Sequence, residues 1–131
     1  MMSDMQVLVW SAILMWLMLM TASALRTQGW TAGGVQRAFG NREDLGEPTP
    51  LAGRADRAAK NMLENFVIFI ALVAALHFAG KASAQAQLGA NLFFWGRVAF
   101  WPIYLAGITY LRTAAWGVSI VGLAMMVVAM W

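Results

Sequence analysis

Arg54, Arg57, Asn61, Glu64 and Ile68 follow one another at steps of three and four. On a helix that spacing places them on one face. The first four are polar, and they lead into a run from Phe66 to Phe78 that is apolar except for His77. A charged stripe running into an apolar helix is costly unless a group on another element answers it. Further along, Arg97 lies among apolar residues, with Phe100, Trp101 and Tyr104 on much the same helical side. A central intramembrane arginine costs about 2.5–3.5 kcal/mol on insertion scales, so Arg97 belongs in a bundle interior or a wet cavity. Glu64 is the only intramembrane carboxylate available to it. Two readings stay open: an Arg97–Glu64 ion pair that only fixes packing, or a pair that is also part of a site. Arg54, Arg57, Lys60 and Arg112 gather at the same end, with Asn61 and Tyr104 nearby. That surplus of cations suits an anionic, hydrogen-bonding ligand. Apolar walls around it would admit a lipophilic molecule from the bilayer.

Other chemistries find no support. No hydrolase triad, no paired carboxylates at glycosidase spacing and no glycine-rich phosphate loop occur. With one histidine and no cysteine, a transition-metal site is not expected. The missing cysteine also rules out disulfides and a cysteine nucleophile within the chain, so any thiol must come from a ligand. Nucleic acid is not an expected partner, because the basic residues flank apolar spans and form no dense patch.

The elements that must hold these residues read as membrane helices. Of 131 residues, 61% are hydrophobic and 11% charged, far from the soluble average. Seven Trp and ten Met suit lipid-facing and interfacial surfaces. The expected architecture is all-α: an integral membrane bundle of four helices, at about 5–25, 54–79, 86–108 and 113–131, forming a single domain over residues 1–131. The first helix carries a small-residue stretch, Ala22-Ser23-Ala24, that resembles a signal cleavage site. It lacks a basic leading region and has Asp4 instead, so a retained span is expected. Residues 26–53 form a polar, glycine-rich connector, within which Thr31 to Phe39 reads as a short surface helix. Pro102 kinks the third helix, while Gly89, Gly96, Gly117 and Gly122 allow close helix approach. His77 reads as an ordinary interfacial residue.

Arg26, Arg37, Arg42, Arg54, Arg57 and Lys60 flank or fill the first connector, and Arg112 lies in the third. Only Lys81 falls in the second. The positive-inside rule then puts the first and third connectors in the cytoplasm and both termini on the far side.

Arg57-Ala58-Ala59-Lys60-Asn61-Met62-Leu63-Glu64-Asn65-Phe66 resembles the second-helix motif of the MAPEG family, the membrane-associated proteins of eicosanoid and glutathione metabolism. Gly96-Arg97-Val98-Ala99, followed by Tyr104-Leu105-Ala106-Gly107, resembles the family's third-helix motif. The length, the four spans and the long first connector match too. The segment from Tyr104 through Leu111-Arg112-Thr113-Ala114-Ala115-Trp116 looks most like a poorly characterised bacterial branch. The resemblance implies a homotrimer in a bacterial inner membrane, with sites between neighbouring protomers. It implies glutathione as co-substrate, its thiol activated to a thiolate that attacks lipophilic electrophiles or reduces lipid hydroperoxides. Arg57, Asn61 and Glu64, with Arg54 beside them, would hold glutathione's carboxylates and backbone. Arg97 and Tyr104 would contact it, and Arg112 would stabilise the thiolate, with Tyr104 donating a hydrogen bond. Phe100 stands where some eicosanoid enzymes carry a polar residue, so their particular substrate does not transfer to this chain.

The competing expectation is a non-catalytic membrane protein, either an accessory subunit or a lipid-binding scaffold, in which the Arg97–Glu64 pair is purely architectural. A transporter is weaker still, because four helices without visible repeats give little sign of alternating access.

Overall fold

A serine, threonine or proline signal starts four of the five helices in the computed structural model, which describes residues 1–131. Ser3 and Gln6 form a reciprocal capping box that opens α1 (Asp4–Thr27). Thr31 caps α2 (Ala32–Phe39), the short connector helix expected from the sequence. Thr49 caps α3 (Pro50–Phe78), with Pro50 in its first turn. Ser83 caps α4 (Ala84–Leu105), whereas α5 (Thr109–Val128) has no side-chain cap.

Helix boundaries differ from expectation by three or four residues at the start of α3, the end of α4 and both ends of α5, which covers Thr109–Val128 rather than 113–131. α3 begins four residues before the anticipated Arg54, because a proline in the first turn needs no hydrogen-bonded N–H. α4 stops at Leu105 rather than running to residue 108, since Gly107 takes a φ of +78° and turns the chain into α5.

Hydrogen bonds between the elements fix their directions. Gln87 Nε2 and Asn91 Nδ2, early in α4, both donate to the Met2 carbonyl, at 3.0 and 2.8 Å, and the Met2 N–H donates back to Asn91 Oδ1. Arg54 Nε, early in α3, donates to the Leu105 carbonyl at the end of α4 (2.9 Å). Gln85 Nε2 donates to the Met125 carbonyl near the end of α5. So α1 and α4 run one way while α3 and α5 return, and Arg26, Arg54, Arg57, Lys60 and Arg112 collect at one end of the bundle. Lys81 is at the other.

α1, α3 and α4 share the core, where Met18, Met62, Phe69, Phe93 and Leu76 are fully enclosed. Phe69 and Phe93 stack with centroids 4.4 Å apart, joining α3 to α4. α5 lies against α4 along a seam of small residues. A Cβ added to Gly89 would stand 2.6 Å from the Gly122 carbonyl oxygen, so the two backbones touch only because neither residue has a side chain. Gly117, expected to serve likewise, has nothing near it.

α1, α3 and α5 are long and apolar enough to cross a membrane. α4 has the length but not the same mean hydropathy, because Asn91, Arg97 and its early glutamines dilute it. Much of that polarity is turned inward: Asn91 and Arg97 are buried. Outward, Trp10, Trp16, Trp95, Val67 and Ile68 are more than half exposed, an apolar surface suited to lipid and not to water. The protein is an all-helical integral membrane protein.

Candidate functional site

The α4–α5 turn brings the end of one helix and the start of the next beside the middle of α3. There Asn61, Phe100, Tyr104, Arg112, Thr113 and Trp116 line an open cleft of about 230 Å³. The helical repeat explains the selection. Phe100 and Tyr104 are one turn apart on α4, as are Arg112 and Trp116 on α5, so each pair projects from a single face. Phe100 meets the Tyr104 ring edge-on at 5.3 Å. The Arg112 guanidinium lies over that ring, 4.4 Å from its centre. Tyr104 therefore packs against both an aromatic ring and a cation.

Behind the cleft is Arg97, wholly buried. Its guanidinium is flanked by Phe93 and Phe100, with ring centroids 5.6 and 5.2 Å away. Nη1 donates to Asn61 Oδ1 at 2.6 Å, while Nε and Nη2 find no protein partner. This corrects the expected Arg97–Glu64 pair. Glu64 is exposed on the outside of α3, and the one ion pair in the chain is Lys60–Asp56 at 3.2 Å. Asn61 and Glu64 are neighbours on the helix, but only Asn61 points towards α4.

The bond also settles which way the Asn61 amide faces. Arginine has donors and no acceptor, so the oxygen must meet it. The Asn61 Nδ2 group is then left to donate elsewhere. No carboxylate lines the cleft, whose lining residues bring one guanidinium, one amide, two hydroxyls and the indole N–H of Trp116. A group bound there would be an acceptor or an anion, with Phe100 and Trp116 as apolar wall.

Of the seven residues singled out from the sequence, Asn61, Tyr104 and Arg112 line the cleft, and Arg97 supports it from behind. Arg54 does not line it. Its Nε hydrogen bond to Leu105 and its packing along Gly107 secure the turn that presents Tyr104 and Arg112. Arg57 and Glu64 project from the exposed face of α3, and Arg57 lies back along its own helix towards Gly53. Thr113 and Trp116 were not anticipated as lining residues. Trp116 could have been found from its position one turn beyond Arg112.

The model of the MAPEG family matches residues 6–131, essentially the whole chain and all of the cleft. Neither curated proteins nor solved structures give a match. The family match agrees with the second- and third-helix motifs read from the sequence, and the family is associated with glutathione in general. Motifs, helical architecture and full-length match converge: the chain belongs to the MAPEG family.

Proposed function

We propose that the protein is a membrane-embedded, glutathione-dependent transferase or peroxidase acting on lipophilic electrophiles or lipid hydroperoxides. The observation that carries this reading is the convergence of Asn61, Tyr104 and Arg112 on one cleft without a carboxylate. Asn61 Nδ2 donates to a carbonyl or carboxylate of the tripeptide. Arg112 lowers the thiol pKa by stabilising the anion, and the Tyr104 hydroxyl donates a hydrogen bond to the same sulfur. The thiolate then attacks an electrophilic carbon, forming the S–C bond as the leaving group departs. With a hydroperoxide, the thiolate takes the terminal oxygen as the O–O bond breaks, giving a sulfenic acid and releasing the alcohol; the thiol of a second glutathione then displaces water from that sulfur and completes the disulfide. The lipophilic substrate reaches the sulfur along the Phe100 and Trp116 wall.

Four spans, including α4, and a homotrimer belong to the same proposal. Arg57 and Glu64, on the open face of α3, meet either the bound tripeptide or a neighbouring subunit. The basic end of the bundle faces the cytoplasm under the positive-inside rule, with both termini opposite.

The ultraviolet difference spectrum of purified protein with glutathione tests the chemistry. A thiolate band is expected, and conjugation of a general electrophile should accompany it. Arg112→Ala should remove the band and lower turnover on the order of 100-fold, the usual loss for one stabilising donor. If wild-type protein yields no thiolate, no binding and no turnover, the proposal fails. A non-catalytic role then becomes the better account, with Arg97 and Arg54 as architecture alone.

A further inference from the structure

On the opposite side of α3 from the cleft, at the same basic end, a groove of about 380 Å³ runs between α1 and α3. Arg26, Arg42 and Lys60 stand around it with a single carboxylate, Asp56. Lys60 holds that carboxylate in the only ion pair of the chain. The two arginines are bonded to neutral groups only. Arg26 donates to the carbonyls of Leu45 and Gly46, and Arg42 donates to the Ala38 carbonyl and to Ser23 Oγ. Their positions are therefore fixed and neither is ion-paired, although Asp44 and Glu47 share an adjoining pocket with Arg26, and Glu43 and Asp44 one with Arg42. Arg42 also has a φ of +62°, uncommon for a residue with a side chain, which the connector maintains in presenting its guanidinium to α1.

Below this rim the groove turns apolar. Leu19 and Leu63 line it and are nearly half exposed. Leu19 lies seven residues from Arg26, roughly 10 Å along the helix axis, a depth that places it beside acyl chains when Arg26 is at headgroup level. The connector lies at that level too, since Trp30, just before α2, and Phe39, its last residue, expose aromatic rings.

We propose that this groove seats one anionic phospholipid, its phosphate between Arg26 and Arg42 beside the Lys60–Asp56 pair and one acyl chain along Leu19 and Leu63. Charge complementarity selects the headgroup, as basic pockets between membrane helices do generally. Zwitterionic lipid offers the same chains with a compensating cation and fits less well. The site is separate from the cleft and requires no glutathione.

Native mass spectrometry of the full chain, released from nanodiscs of equal phosphatidylglycerol and phosphatidylcholine, tests this directly. Retention of one phosphatidylglycerol per protomer in preference to phosphatidylcholine is expected. Lys60→Gln and Arg42→Gln should each reduce that retention about fivefold, while Lys81→Gln, at the other end of the bundle, leaves it unchanged. Lys60 is an exposed side chain, so its variant keeps the test meaningful even if Arg42→Gln disturbs the connector. Equal retention of the two lipids overturns the proposal. So does displacement of the lipid by inorganic phosphate alone, which would mark a site for free anions. A change of oligomeric state in Lys60→Gln, with lipid retention unaltered, would make the groove a subunit contact instead.

Discussion

Arg97 makes its only side-chain hydrogen bond to the cleft-lining Asn61, and that separates its effect on ligand from its effect on folding. A buried guanidinium with two unpartnered nitrogens contributes little to stability, and apolar replacements of buried charge are often neutral or stabilising. Arg97→Met should therefore leave the melting midpoint unchanged or raised. Glutathione affinity should nevertheless fall about tenfold, because Asn61 loses the bond that aims its amide. Asn61→Asp makes the sharper comparison. The new carboxylate pairs with Arg97 and should raise the midpoint, yet it turns an acceptor towards the ligand and should weaken glutathione binding by at least about tenfold. Scanning fluorimetry and titration calorimetry measure the two effects separately. Wild-type affinity in Asn61→Asp would show that this amide does not donate to the ligand. The spacing in the sequence identified Arg97 as needing a partner and assigned Glu64, not Asn61, to it. They share a helical face, and formal charge favoured Glu64. Only the approach of α4 to one side of α3 decides for Asn61.

The elements were legible where long apolar runs and capping residues agree, as at Ser3, Thr31 and Ser83. They were less so where a residue serves two purposes. Pro50 reads equally as connector and as helix start, and Gly107 looks like part of a loop until its positive φ ends α4. The connector arginines are another case, because charge alone does not reveal that Arg26 and Arg37 fold the connector back onto the end of α1 through backbone carbonyls. The α4–α5 seam gives the clearest prediction at this scale. Gly89→Ala forces a Cβ against the Gly122 carbonyl and should destabilise the protein by about 1–3 kcal/mol, the usual range for overpacking. Gly117→Ala, in open space, serves as its control and should be close to neutral. Melting midpoints of the two variants in detergent check this, and equal loss in both would mean that the seam is not tightly packed. Because the seam also sets how α5 presents Arg112 to Tyr104, turnover in Gly89→Ala should fall along with stability.

At the level of the whole molecule, a carboxylate on an exposed, mostly apolar helix face is the feature that a lone protomer does not explain. Glu64 lies beside Leu63, Val67 and Ile68, all exposed, and has no cation within its own chain. A second copy is the economical way to cover it, since an unpaired charge facing lipid is costly. Glu64→Gln should then weaken self-association about tenfold, measured by sedimentation in detergent over a dilution series. An unchanged association constant would put Glu64 outside the subunit contact and leave it to the ligand. The membrane character of the chain was plain from composition, whereas the expectation of a homotrimer rested on the family resemblance alone, because subunit contacts and lipid contacts draw on the same apolar residues.

The hydrogen bonds between Met2 and Asn91 also bear on how the protein is made. Asn91 follows Met2 by 89 positions in the chain. At synthesis rates of about 5–20 residues per second, the start of the chain therefore waits roughly 4–18 s for its partner to leave the ribosome. During that interval α1 and α3 can already be inserted and paired, but the N-terminal end of α1 remains unfastened. Arrival of α4 closes it. A translational pause after α3 would prolong that open state.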